Sequence, residues 1–204
     1  MKTQIRRGVF ETNSSSVHSI SIIKDGFKSS LPTQFTIDCD GEFGWEVDIY
    51  ESPEDKAAYL YQAIVSYTTY NWRTKEMYDV NTAKEILQGL MDKFIGNLES
   101  YGIKVECKYR FANTYSIEYT DVDKTYSHWY VNFVDENGNE SKGYLDHGGD
   151  AKEFVDYVLS SPENTVKFIF DNRCYIETGN DNEDCYGDSK DRNYGEAIVF
   201  EKGN

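Results

Sequence analysis

The sequence predicts an α+β fold, a mainly antiparallel sheet with two to three helices packed on it, and three observations carry that prediction. Short stretches that alternate apolar and polar residues recur along the chain and dominate its second half. Between residues 52 and 98 the spacing changes to that of two amphipathic helices. No repeat and no linker long enough to split the chain interrupts this order, so residues 1–204 are expected to form one acidic α+β domain.

The elements follow in chain order. Val17 to Ile23 alternates and reads as a half-buried strand, ended by Lys24-Asp25-Gly26. Gln34 to Asp38 and Trp45 to Tyr50 are short strands around the turn Asp40-Gly41-Glu42. Ser52-Pro53-Glu54-Asp55 starts a helix, with serine as cap, proline at the first helical position and acids against the dipole, running to about Tyr70. The second helix has Asn81 or Thr82 near its cap. It carries Ala83, Ile86, Leu87, Leu90, Met91, Phe94, Ile95 and Leu98 at the 3.6-residue period, with Gly102 just beyond its end.

In the second half, Ile103 to Phe111, Tyr115 to Thr120 and Trp129 to Val134 read as strands, the last followed by a hairpin-type turn at Asp135 to Asn139. Asp150 to Leu159 reads as a short helix ended by Ser160-Ser161-Pro162. Val166 to Phe170 and Cys174 to Glu177 then read as a hairpin around Asp171-Asn172-Arg173. An acidic loop, Gly179 to Asp191, precedes a last strand from Glu196 to Glu201.

Composition narrows the function classes. The chain is 39% hydrophobic with 17 Tyr and 11 Phe, enough apolar surface to offset the entropy of ordering. So many tyrosines suggest half-buried sheet faces, because Tyr has an apolar body and a wet tip. No apolar run approaches the roughly 20 residues of a membrane span, and Met1 to Arg7 is basic without an apolar stretch behind it, so no secretory leader is expected. Cys39, Cys107, Cys174 and Cys185 are scattered, which argues for reduced thiols in a cytosol rather than a disulfide framework or zinc ribbon. They read as small core residues. A net charge of -15 disfavours broad contact with nucleic acid and would suit a basic surface on a protein that normally holds nucleic acid. The same acidity also serves plain solubility.

Three polar clusters could do chemistry. The first holds Arg6, Arg7, Glu11, Asn13, Ser14, Ser15, Ser16 and His18, which offer an anion clamp, a base, an oxyanion donor and nucleophiles. Asn13 to Ser16 would form a turn whose backbone N–H groups make an anion nest. A turn that merely satisfies its own backbone is the competing reading, and a surface histidine on the face opposite Val17 and Ile23 is the plain reading of His18. The second cluster, Tyr144 to Asp150, sets Asp146 and His147 before Gly148-Gly149 and a helix start. A simple turn into a capped helix competes with it. The third, Glu177 to Asp184, offers Asn180 as a binding residue and Asp181, Glu183 and Asp184 to a divalent cation. It lacks the glycine and terminal glutamate of an EF-hand loop, and a solvated acidic loop is the alternative. His128, at a strand start, reads as structural.

The run F-E-T-N-S-S-S-x-H-S, Phe10 to Ser19, resembles the opening of a group of mostly uncharacterised proteins from bacteriophages and Gram-positive bacteria. That group also carries an Asp-His segment and a T-G-N-D-N segment, here Asp146-His147 and Thr178-Gly179-Asn180-Asp181-Asn182. Gly148 departs from the polar residue expected after Asp-His. The motif is specific but covers the first tenth of the chain. The resemblance implies that the three segments share one site, and its phage setting implies an anti-defence role of the anti-CRISPR type, with a host defence protein or ribonucleoprotein as partner in the bacterial cytoplasm. Two further expectations stand beside it. One is an enzyme (a nuclease, nucleotide hydrolase or transferase) with Glu11 or His18 as base, Arg7 and the serine turn on phosphate, and His147 assisting. The other is a structural or regulatory phage protein whose N-terminal turn stabilises the fold.

Overall fold

A computed structural model describes residues 16–38, 42–43, 48–71, 76–77, 80–107, 116–120, 128–134, 140–145, 151–180 and 195–202. Its strands are β1 (Ser16–Ile23), β2 (Gln34–Ile37), β3 (Glu42–Phe43), β4 (Asp48–Tyr50), β5 (Tyr70–Asn71), β6 (Glu76–Met77), β7 (Lys104–Cys107), β8 (Ser116–Thr120), β9 (His128–Val134), β10 (Glu140–Leu145), β11 (Tyr175–Asn180) and β12 (Ala197–Lys202). The helices are α1 (Pro53–Thr69), α2 (Val80–Glu99), α3 (Lys152–Leu159) and α4 (Pro162–Phe170). The class is α+β, as the alternation and helical spacing predict. No described helix is long and apolar enough to cross a membrane.

One sheet has the order β12-β1-β11-β4, antiparallel throughout. A second runs β3-β10-β9-β8, with β3 parallel to β10 and the remaining pairs antiparallel. β2 and β7 form a separate parallel pair. β9 and β10 pair antiparallel with Val134 facing Glu140, and the hairpin turn expected at Asp135 to Asn139 lies outside the described residues.

α1 begins where its sequence says it should. Ser52 Oγ accepts from the backbone N–H of Asp55 at 3.0 Å, and Pro53 occupies the first helical position. α2 ends before Gly102, whose φ of +79° is open to glycine at little cost. α2 buries a stripe of Leu87, Met91, Phe94 and Leu98, whereas α1 is buried on every side from Lys56 to Val65.

The expected hairpin strand at Val166 to Phe170 is instead α4. Every residue from Thr165 to Phe170 is buried, and a wholly buried run shows no face, so periodicity cannot separate strand from helix there. The deciding signal is Ser161-Pro162-Glu163, a helix start of the same kind as Ser52-Pro53-Glu54. Ser161 Oγ accepts from the Asn164 N–H at 3.1 Å. Asp171 to Arg173 therefore joins a helix to a strand.

The core is aromatic at its centre. Phe43 lies 5.0 Å from both Tyr50 and Tyr59, ring centre to ring centre, Tyr59 lies 5.9 Å from Phe154, and Phe154 reaches Phe168 and Phe200, all edge-on. Tyr59 and Tyr61 are wholly buried in a helix, unlike the half-wet sheet tyrosines that composition suggests. Cys107 and Cys174 are buried, as small core residues should be.

Candidate functional site

β1 is an interior strand, flanked by β11 and β12, and this fixes the setting of His18. Alternation puts His18, Ile20 and Ile22 on the face that meets α1, and Ser19, Ser21 and Ile23 on the other. His18 is on the face opposite Ile23, as alternation predicts, but it is not a surface residue: it is 0% exposed. Its Nδ1 shares a hydrogen bond of 3.0 Å with the hydroxyl of Tyr59, itself buried. Burial pushes the Tyr59 hydroxyl far above its ordinary range, so it stays protonated. An imidazole enclosed in this way anchors β1 to α1; it is not presented to a dissolved substrate.

The pairing of β1 with β11 brings two of the sequence clusters side by side. Ser16 faces Asn180, Val17 faces Gly179 and His18 faces Thr178. Thr178 is 1% exposed, and Glu177, 3% exposed, faces Ser19 on the other side of the sheet. The second cluster begins within the last residues of β10, Tyr144 and Leu145. Leu145, the residue before Asp146, faces Phe43, whose ring packs on Tyr59. Arg7, Glu11, Asn13, Ser14, Ser15, Asp146, His147, Asp181, Glu183 and Asp184 lie outside the described residues. Among the described residues, no three His, Cys, Asp or Glu side chains gather to hold a metal ion. His128 opens β9 opposite Thr120.

A second polar centre was not among the sequence candidates. Lys56 on α1 is 0% exposed, and its Nζ donates to the carbonyls of Asp171 at 2.8 Å and Cys174 at 3.0 Å. These carbonyls follow the C-terminus of α4, where a cation also meets the negative end of the helix dipole. Burial lowers the pKa of Lys56 to about 8, against the opposing pull of Cys174, Asp171 and Glu54. The signal was present in the sequence: Lys56 opens the run Ala57 to Val65, apolar on every face except at Gln62, and a helix that is hydrophobic all round is a buried one.

Arg173 completes this centre. Its Nε donates to Asp171 Oδ1 at 2.9 Å and its Nη2 to Oδ2 at 2.7 Å, a two-point fork, while its backbone N–H donates to Oδ1 at 3.1 Å. Nη2 also donates to the Gly26 carbonyl at 3.0 Å, and Nη1 lies 3.7 Å from Asp25. Burial works to raise the Asp171 pKa, but the hydrogen bonds and charge of Arg173 outweigh it and hold the carboxyl below its usual value. Burial raises the Cys174 thiol, which stays protonated. The turn from Asp171 to Cys174 thus ties α1, the end of β1, the end of α4 and the start of β11 together. That is a framework role.

No protein-family model, curated protein or solved structure matches this chain.

Proposed function

We propose that this protein is a phage-type accessory factor, anti-CRISPR-like, that counters a host nucleic-acid-targeting defence by laying an acidic surface over the basic channel of the effector. The carrying observation is the net charge of -15 on a folded chain of 204 residues. Acids occupy exposed positions on all four helices, among them Asp55, Asp92, Asp156 and Glu163. The opening F-E-T-N-S-S-S-x-H-S run, with its likeness to phage proteins, supplies the setting: the cytoplasm of an infected bacterium. The burial of His18 supports binding over catalysis, because it removes one of the proposed bases from solvent.

The test is a titration of the purified protein against a guide-loaded CRISPR effector, with DNA as competitor. Binding should exclude DNA and weaken by about tenfold or more between roughly 50 and 300 mM salt. Binding that ignores salt, or that leaves DNA in place, would sink the mimicry reading.

An enzyme is the second reading, and the pairing of Ser16 with Asn180 supports it by setting the N-terminal run beside the T-G-N segment. Glu11 would then be the base and Arg7 with Ser14 to Ser16 the phosphate clamp, with His147 assisting and His18 holding the strand. Hydrolysis of a guide RNA or a signalling nucleotide, lost in Glu11→Ala, would favour this reading over simple occupancy.

A further inference from the structure

The two edges of the β12-β1-β11-β4 sheet are unequal. β4, at one edge, is three residues long, one of the ways a sheet protects an edge. β12, at the other, is six residues long, contains no proline, and pairs with β1 along its whole length. The Lys24 N–H donates to the Glu196 carbonyl at 2.9 Å. Alternation along an antiparallel ladder then turns the N–H and C=O of Ala197, Val199 and Glu201 away from β1. Among the described residues no strand takes up those outward groups. Val199, at the middle of the strand, is 50% exposed, the more exposed of the two large hydrophobic residues found at the described surface.

We infer that β12 pairs antiparallel with β12 of a second copy of this chain, about a twofold axis at Val199. An antiparallel pair in a continuous sheet keeps opposed residues on one face, and this axis satisfies that condition. It sets Val199 against Val199, exchanging both outward hydrogen bonds, and Ala197 against Glu201. It also sets Glu196 of each copy against Lys202 of the other. Glu196, just before β12, and Lys202, at its end, are the opposite charges that an antiparallel self-pair brings together. The Glu196 side chain is 83% exposed, with a 3.4 Å surface contact to Lys24, and so is open to a second cation. An axis at Phe200 instead would oppose Val199 to Glu201 and Ile198 to Lys202, apolar against charged in both pairs. The backbone permits an axis at either residue, and the pairing of Val199 with itself and of Glu196 with Lys202 selects the axis at Val199.

Sedimentation velocity on the full chain at about 100 μM tests the pairing. The wild type should be a dimer, and Lys202→Glu and Glu196→Lys should each weaken self-association about tenfold or more. Glu196→Lys lowers the net negative charge of the chain, so its effect cannot come from general repulsion. The double exchange should restore association to within about threefold of wild type. Val199→Pro removes an outward N–H that β1 does not use, and should dissociate the dimer while leaving Tm nearly unchanged. A monomeric wild type, a dimer indifferent to the single reversals, or a double exchange no tighter than the singles would each overturn the inference.

Discussion

His18 and Tyr59 join the centre of β1 to the middle of α1 through a 3.0 Å hydrogen bond that no solvent reaches. A buried polar atom that loses its partner costs about 1–3 kcal/mol. Tyr59→Phe keeps the ring packing against Phe43 and Phe154 and removes only the hydroxyl, so a cost in that range is expected. For a chain of this size it lowers Tm by roughly 2–4 °C per kcal/mol. His18→Ala should cost more, because a cavity is added, and the double variant should cost less than the sum of the singles. Thermal unfolding of the four proteins measures this coupling.

Lys56 sets the pH dependence. Its folded pKa of about 8 lies below the ordinary 10.5, so between these values the unfolded chain binds more protons than the folded one. Stability from this group therefore rises as pH climbs from about 8 to 10.5, by roughly 1 kcal/mol per pH unit at most. The Cys174 thiol and the Tyr59 hydroxyl, both raised by burial, act the other way above their ordinary values. They are common to wild type and Lys56→Met. The difference between the two denaturation profiles should grow in favour of wild type across that window, and a flat difference would refute the buried, charged amine.

The Asp171–Arg173 fork should be costly to break from either side. Asp171→Asn leaves a largely buried guanidinium without its carboxylate, and a loss of about 3 kcal/mol is expected. Arg173→Lys keeps the charge but cannot serve both carboxylate oxygens and the Gly26 carbonyl together, so it too should destabilise. Because the Asp171 pKa is depressed, its contribution is fully present above the ordinary value of 3.8 and is lost as pH falls through the folded pKa. The gap between wild type and Asp171→Asn in urea denaturation should therefore close below about pH 3.8.

Much of the fold is legible in the sequence because local signals agree with tertiary burial. Ser52-Pro53-Glu54 starts α1, Gly102 follows α2, and the alternation of β1 survives into the structure. α4 shows where this stops: burial on all sides erases the apolar face, and only the cap remains to be read. Ser161→Ala should accordingly cost about 1 kcal/mol, visible as a drop in urea midpoint without a change in slope. Of the candidate site, the residue types were legible but their exposure was not. An alternating strand shows which side chains share a face, and says nothing of whether a helix covers it. His18 reads as a surface residue until α1 is laid on β1, and Lys56 reads as a solvated helix lysine until α1 is seen to be covered on every side.

The roles proposed for the N-terminal run can be separated experimentally. His18 lies inside, so His18→Ala should lower Tm, and any loss of function should follow the loss of folded protein. Arg7 and Glu11 precede β1 and carry the groups assigned to recognition. If these side chains act in recognition or catalysis and not in packing, Arg7→Ala and Glu11→Ala should hold Tm to within about 2 °C. If the run binds the effector, both should weaken binding at low salt, and Arg7→Ala, which makes the chain more acidic, separates specific contact from net charge. If it is catalytic, Glu11→Ala should abolish turnover with binding intact. Measuring Tm, binding and turnover on the same three variants distinguishes anchor, contact and base, because each role predicts a different pattern. A fall in Tm with Glu11→Ala and unchanged function would assign the whole run to the scaffold.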